Sequence, residues 1–247
     1  MMKVIYVAYL LQASFALEMV FFKFREGKEK IVITKEIENL YNDYLSQSDS
    51  RWAYGNSILY RMCKEEPKHK EIDVIVGKVW LIGRSYAAAI ERRKNAVDDN
   101  DDFYYDVVAS KMLEIGSELD DRITRLQEST GHIVDDVEEI LSTHKFLTDT
   151  FGKMTGLKKR SLASKYLHFH CPEKFFIYDS RAIKSIGKLV KIPDKKFLAN
   201  VSDYDQEYGY FVCRMLELQE YLYEKIGTYE MPRSIDSFLL WTLRKKK

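Results

Sequence analysis

A short segment of the chain places several cationic side chains ahead of one isolated carboxylate. Residues 154–182 read MTGLKKRSLASKYLHFHCPEKFFIYDSRA. Between residues 152 and 165 there are five basic side chains and no acidic one, namely Lys153, Lys158, Lys159, Arg160 and Lys165. Asp179 follows after a short aromatic run. Because the whole chain has a net charge of only +1, this cluster is a local departure from neutrality, and it indicates an anionic ligand.

The backbone around this cluster also favours an anion. Gly156 can supply the unusual dihedral angles of a tight turn between two helices. The helix that follows is predicted to begin near Ser161, so its unpaired N–H groups and positive dipole end lie beside Lys158, Lys159 and Arg160. Together they predict a site for a backbone phosphate. A solvated charge run between two ordinary helices fits the composition equally well.

At this point the sequence resembles the helix-hairpin-helix DNA glycosylases. Their hairpin reads apolar-x-Gly-apolar-Gly-x-Lys-Thr-Ala, and residues 154–162, MTGLKKRSL, occupy that frame. The family places an essential aspartate on an apolar run ending in Val-Asp-Thr-His, where this chain has Ile-Tyr-Asp-Ser-Arg at 177–181. The interval from Arg160 to Asp179, 179 − 160 = 19 residues, matches the family's spacing.

The resemblance implies a glycosylase-like helical bundle that acts on double-stranded DNA with a flipped base, without a cofactor. It implies that Asp179 is the catalytic carboxylate. The residues that it implies for DNA binding lie in and after the hairpin: Gly156, Lys158, Lys159, Arg160, Ser161 and Lys165.

Two departures from the family pattern change the expected activity. Lys158 replaces the second glycine of the hairpin, so the turn differs from that of the family. Arg160 stands where members that also cleave the strand carry a Schiff-base lysine. Because arginine stays protonated, it cannot act as an amine nucleophile, and the resemblance implies a monofunctional glycosylase. Lys159 or Lys165 would restore lyase activity only through a register shift.

The chemistry of N-glycosidic bond cleavage defines the roles of the remaining residues. An oxocarbenium-like sugar develops as the base leaves, and a carboxylate such as Asp179 stabilises it and orients or deprotonates water. A flipped base needs an aromatic or polar pocket. The candidates for this pocket are Trp52, Tyr54, Asn56, Arg84, Tyr86 and Tyr178. Core packing or a buried salt link is the competing interpretation of each.

Other functions remain open from the sequence. His168, His170 and Cys171 suggest a metal site, but residues two apart on a helix point to different faces, so we predict no metal. A HEPN-type ribonuclease would use Arg160 with His168 or His170, at intervals longer than that motif usually has. A non-catalytic nucleic-acid-binding module and a protein-interaction scaffold are further alternatives.

Helical periodicity covers most of the chain and predicts a mostly α fold of roughly ten helices. Predicted helices cover residues 34–45, 52–63, 71–93, 103–113, 120–128, 134–141 and 205–226, and two more begin near Ser161 and after Pro232. The 205–226 helix is predicted to be capped by Ser202. All four prolines fall between helices. Residues 20–24 and 30–34 fit a small N-terminal β-hairpin, so we expect a segment 1–34 and one helical catalytic domain, 35–247.

Composition predicts a cytoplasmic protein. The chain is 46% hydrophobic and 31% charged, and its three cysteines are too few and too scattered for a disulfide framework. Residues 4–22 are apolar, but Gln12, Ser14 and Glu18 interrupt them, so we expect a buried or poorly ordered segment and no membrane association. A start of translation at Met19 is an alternative. We infer no obligate protein partner.

Overall fold

A computed structural model of the chain describes residues 36–47, 52–92, 102–191, 198, 201–227 and 229–245. These residues are mostly helical, which confirms the predicted mostly α bundle. The chain divides into two compact units, and every described residue belongs to the second, Ile33–Lys247. The N-terminal hairpin predicted at 20–24 and 30–34 lies outside the described residues.

The described part of the chain contains ten α-helices and one π-helical segment. The helices are α1 (Glu36–Leu45), α2 (Ala53–Glu65), α3 (Ile72–Ser85), α4 (Ser110–Glu114), α5 (Gly116–Glu128), α6 (Val137–Thr155), α7 (Arg160–His170), α8 (Ser180–Leu189), α9 (Gln206–Ile226) and α10 (Pro232–Lys245), with the π-helical segment Phe103–Ala109 before α4. None of the helices in these ranges is long and apolar enough to cross a membrane.

Helix α7 lies at the centre of the bundle. Every residue from Leu162 to His170 is buried, so the helix has no solvent-facing side along this stretch. It packs against α6, α3 and α2. A helix that is buried all round belongs to a protein core, and polar residues on it need partners within the protein.

Helix α8 packs between α9 and α10. The sequence did not predict α8, which begins directly after Asp179. Helix α10 also packs against α1, where the ring of Tyr41 meets the edge of Phe238 at a centroid distance of 4.9 Å. Ser185 on α8 and Thr242 on α10 share a hydrogen bond at 2.6 Å, which joins the middle of α8 to the carboxyl-terminal part of α10.

Helix α3 is shorter than predicted. It ends at Ser85, and the chain turns through Ala87, which has a left-handed backbone with φ 51°. The Ala88 N–H donates to the Gly83 carbonyl at 2.7 Å, and the Ala87 N–H donates to the Arg84 carbonyl at 3.3 Å, which is the Schellman pattern of a helix end. The apolar pattern of the sequence extends past Ser85 because Ile90, which follows the turn, is again buried in the core.

Several other helix boundaries also differ from the prediction: α6 continues to Thr155, well beyond residue 141, and α5 begins at Gly116 instead of residue 120. Asp205 caps α9, accepting a hydrogen bond from the Tyr208 N–H at 3.0 Å, so the predicted cap at Ser202 was wrong. Helix α10 extends to Lys245, whose Nζ lies 2.5 Å from Asp43 Oδ2 on α1. That contact supports the last turn of α10.

Candidate functional site

Asp179 combines a structural contact with an available carboxylate oxygen. Its Oδ1 accepts hydrogen bonds from the Arg181 and Ala182 N–H groups, both at 2.9 Å, and so caps α8. Its Oδ2 lies 3.7 Å from Arg181 Nη2 and 4.0 Å from Lys165 Nζ. The side chain is 14% exposed. The backbone therefore fixes one oxygen, while the other faces two cations without a short hydrogen bond to either.

Lys165 is a buried cation next to this carboxylate. Its side chain is 2% exposed, and its Nζ donates to Ser161 Oγ at 2.7 Å. Burial lowers the pKa of Lys165, while the carboxylates of Asp179 and Asp236 oppose that shift. A cation enclosed in this way is not placed to contact a DNA phosphate, in contrast to the expectation from the sequence.

Helix α10 adds a second carboxylate to the same region. Asp236 is buried, and its Oδ2 accepts a hydrogen bond from Arg233 Nη1 at 2.9 Å. Burial raises the pKa of Asp236 to about 6, Arg233 and Lys165 lower it, and the charge of Asp179 raises it further. Its Oδ1 has no hydrogen-bond partner within the described residues. Arg233, which pairs with Asp236, and Lys165 both lie within 6.0 Å of the Tyr86 ring, so Asp236 belongs to the same region of the protein.

Two of the predicted pocket residues meet this group. Tyr86 donates its hydroxyl hydrogen to Asn56 Oδ1 at 2.7 Å. The centroid of its ring lies 5.9 Å from Lys165 Nζ and 6.0 Å from the guanidinium carbon of Arg233. An aromatic ring at this distance stabilises cations through its electron-rich face. The set formed by Asn56, Tyr86, Lys165, Asp179, Arg233 and Asp236 is called the Asp179 cluster below.

The other predicted pocket residues have different surroundings. Arg84 pairs with Glu91 instead of joining the Asp179 cluster. Tyr178 donates its hydroxyl hydrogen to Glu207 at 3.2 Å, beside α9. Trp52 is 76% exposed at the start of α2, with a left-handed backbone of φ 68°, and Tyr54 is also exposed. The structure therefore gives Arg84 and Tyr178 other partners and leaves Trp52 and Tyr54 on the surface.

Arg160 is held in a second group of side chains. Its Nε donates to both carboxylate oxygens of Asp205, at 2.7 and 2.8 Å, and its Nη1 lies 3.2 Å from Glu207 Oε2. His144 Nε2 donates to the Arg160 carbonyl at 3.2 Å, and its ring stacks on Tyr208 at a centroid distance of 3.5 Å. These five residues, called the Arg160 cluster below, join the starts of α7 and α9.

The connection between α6 and α7 keeps some features of an anion site. Gly156 ends α6 with φ 70°, a backbone that glycine adopts readily, and Lys159 caps α7 without a side-chain hydrogen bond. Lys158 is 63% exposed, although its Nζ also lies 3.9 Å from Asp205. Lys159 Nζ donates to the Arg92 carbonyl at 2.5 Å, and Ser161 already accepts the Lys165 hydrogen bond. Lys158 is thus the hairpin cation best placed for a phosphate.

The histidines of α7 are buried, and among the described residues neither ring nitrogen of His170 has a hydrogen-bond partner. His168 Nδ1 donates to the Phe175 carbonyl at 2.8 Å, and its Nε2 accepts from the Tyr60 hydroxyl at 2.6 Å. Burial lowers the pKa of His168 to about 4 and that of His170 well below its ordinary value. In the ranges that the structure covers, no group of three or more histidine, cysteine, aspartate or glutamate side chains could hold a metal ion.

Arg233 and Asp236 were not predicted from the sequence as site residues. Helical periodicity could have identified Asp236. It lies on the buried face of α10, among Pro232, Ile235 and Leu239, where an apolar residue is expected. Lys165 carries the same signal, since it lies within the continuously buried stretch of α7. A charged residue at a core position is almost never fully buried unless it is paired.

Comparisons of the chain with protein-family models, with curated proteins and with solved structures find no match. The function must therefore be inferred from the geometry of the Asp179 and Arg160 clusters.

Proposed function

We propose that the protein is a monofunctional DNA glycosylase, which hydrolyses the N-glycosidic bond of a damaged or modified base in double-stranded DNA. Its role is repair or defence against modified foreign DNA, such as that of a phage. The observation that carries this proposal is the carboxylate of Asp179, which two backbone N–H groups hold in place while its second oxygen stays free of a short hydrogen bond.

The reaction assigns this carboxylate an electrostatic role. The bond between C1′ of the sugar and the base nitrogen breaks, and its electron pair leaves with the base. The positive charge that develops on the sugar is stabilised by a preorganised carboxylate, which costs no reorganisation during the reaction. Water then bonds to C1′ and gives its proton to Asp179 or to solvent, which leaves an abasic site.

The surroundings of Arg160 support the proposal that this residue takes no part in a lyase step. Arginine remains protonated at neutral pH, and Asp205 engages Arg160 through both of its oxygens. A guanidinium held in this way is neither an amine nucleophile nor free to reach the sugar.

DNA binding is proposed to involve the α6–α7 connection. Gly156 shapes the turn, the first N–H groups of α7 have no side-chain cap, and Lys158 adds an exposed positive charge. Backbone N–H groups at a helix start and a nearby lysine form an electrostatic site for one phosphate.

The ribonuclease alternative finds less support in this geometry. His168 and His170 are buried, and both nitrogens of His168 already have protein partners. A general base must reach the proton that it removes, directly or through one water. Neither histidine is placed to do so for an RNA on the surface.

The variant D179N tests the proposed activity. Asparagine keeps a side-chain oxygen that can cap α8, so the fold and the salt-sensitive binding of duplex DNA should remain. Loss of the negative charge should reduce base release at least about 100-fold. The assay counts abasic sites formed in oligonucleotides with modified bases and in modified phage DNA.

The matched control is D203N, because Asp203 is an exposed carboxylate on the surface. It should release bases as fast as the wild-type protein does. Base release by D179N at the wild-type rate would refute the assignment of Asp179. DNA binding without base release from any substrate would instead favour the non-catalytic module.

A further inference from the structure

The Asp179 cluster contains a buried ammonium group with an unusual set of partners. Lysine Nζ has three N–H donors. Within the described residues, Lys165 uses one of them for a short hydrogen bond, to Ser161 Oγ at 2.7 Å. The distance of 4.0 Å from its Nζ to Asp179 Oδ2 is too long for a hydrogen bond. Lys165 therefore acts on Asp179 through charge, and Oδ2 keeps its lone pairs available.

A buried ammonium group this close to one carboxylate should move into direct contact with it. The attraction between unit charges grows steeply as the local dielectric constant falls. Asp236 supplies a second buried negative charge from α10, because its partner Arg233 and Lys165 lie 6.0 and 5.9 Å from the same Tyr86 ring. The charge of Asp236 favours the charged form of Lys165 and opposes that of Asp179. With a carboxylate on each helix that faces it, Lys165 can stay at 4.0 Å without closing on Asp179.

We propose that Lys165 is a positioning residue for Asp179, and that Asp236 is the buried counter-charge that holds Lys165 away from Asp179 Oδ2. This role rests on the proposed function, because Oδ2 is the oxygen left to face the sugar or the attacking water. It replaces the DNA contact that the sequence suggested for Lys165. The charged and titratable groups that surround Lys165 are Asp179 and Arg181 from the start of α8, Arg233 and Asp236 from α10, and Tyr86 after α3.

The first test separates positioning from DNA binding. In K165M the cation that offsets the repulsion between Asp179 and Asp236 is lost, so Asp179 moves from its position. In D236N the ammonium group is free to close on Asp179. In both variants kcat for base release should fall about 100-fold. The Kd for duplex DNA and its salt dependence should not change, since neither side chain reaches the surface. A phosphate contact would instead weaken binding and reduce the salt slope, with kcat retained, and would overturn the proposal.

The control variant is K174M. Lys174 is also buried and paired, with its Nζ 2.5 Å from Asp136 Oδ2, but it lies outside the Asp179 cluster. Its loss should leave kcat of the folded protein unchanged. An equal fall in kcat in K174M and K165M would show a general effect of losing a buried charge and would contradict the specific role.

The pH dependence of base release distinguishes the positioning role from a purely structural one. Because the pKa of Asp236 is about 6, base release by the wild-type protein should decline as the pH falls through 6, when Asp236 loses its charge. D236N should be slow at every pH and should lack this acid limb. If K165M does not fold, D236N still tests the proposal. An unchanged acid limb in D236N would overturn the proposal.

A titration of Asp236 by carbon NMR separates failure of this inference from failure of the proposed function. Absence of base release from every substrate by wild-type protein would refute the function alone. The Asp236 pKa should still rise in K165M, because a cation is lost, and fall in D179N, because an anion is lost. An Asp236 titration that neither substitution shifts would overturn the coupling, whatever the activity.

Discussion

The two cations of α7, Arg160 and Lys165, meet their carboxylates in different ways. Arg160 donates to both oxygens of Asp205 within 2.8 Å, and Asp205 in turn caps α9. Lys165 lies 4.0 Å from Asp179 and is more deeply buried than Arg160. Every charge in the first pair is satisfied, whereas the second leaves an oxygen of Asp179 available. The difference distinguishes an ion pair that joins two helices from one that prepares a carboxylate for chemistry.

Neither Arg160 nor Lys165 has the role that its residue type suggests. An arginine in a hairpin suggests a phosphate contact, and a lysine in the next turn suggests the same. Instead, Arg160 fixes the starts of α7 and α9 relative to each other, and Lys165 faces the interior. A close, fully satisfied pair indicates structure, and a buried charge with an incomplete set of partners is the better indicator of function.

The largest effect should follow from breaking the Arg160 pair. In R160M, Asp205 stays buried, with a side chain 3% exposed, and loses its main partner. We expect the free energy of unfolding to fall by about 3 kcal/mol, because an unpaired buried charge remains. Urea denaturation measures this change: the midpoint concentration of urea should fall while the m-value stays constant.

The control for this prediction is R125M. The pair of Arg125 with Glu139 is largely exposed, so its loss should change stability by at most about 0.5 kcal/mol. If R160M were as stable as wild type but bound DNA with a smaller salt slope, Arg160 would be a phosphate contact and the contrast between the two clusters would disappear.

Acidification should act on the two clusters with opposite signs. Burial lowers the pKa of His144, in the Arg160 cluster, to about 4, so between pH 6.5 and 4 the unfolded chain binds a proton that the folded protein does not. Stability from His144 is therefore lost as the pH falls through this range. Asp236 has a raised pKa of about 6, so it takes up a proton first in the folded protein and adds stability as the pH falls from 6.

Denaturation at pH 7 and pH 5 separates the two contributions. Each is expected to be about 1–2 kcal/mol over this interval, from about 1.4 kcal/mol per pKa unit. The loss of stability on acidification should be smaller in H144Q and larger in D236N than in wild type. His168, whose pKa is also lowered to about 4, adds the same loss to every variant. Equal losses in all three proteins would contradict the assigned ionisations.

The smallest effect should come from the exposed cation of the hairpin. In K158A, one phosphate contact is lost, so the Kd for duplex DNA should rise about 3- to 10-fold and the salt slope should fall by about 1. Because Lys158 is 63% exposed, stability should not change. K64A, at an exposed lysine near the end of α2, is the control, and an equal effect there would indicate nonspecific attraction.

Much of the local organisation could be predicted from the sequence. The helical period, the prolines between helices and the glycine before α7 depend on neighbouring residues, and the structure confirms the mostly α bundle and the start of α7 near residue 160. The length of α3 could not be predicted, because Ile90 continues the apolar period after the chain has left the helix. The turn at Ala87 carries no glycine that would mark it.

The segment 154–182 determined by itself where a turn, a helix start and a carboxylate must lie, because these depend on backbone dihedrals and on spacing within one stretch of chain. Only the tertiary structure decided which cation meets which carboxylate. Arg160 pairs with Asp205, 45 residues away, and the last helix brings Asp236 and its partner Arg233 to the Tyr86 ring that Lys165 also faces. Charge acts through space, and burial, which strengthens it, is set by packing between distant helices. The sequence could therefore propose Asp179, but not the partners that hold it.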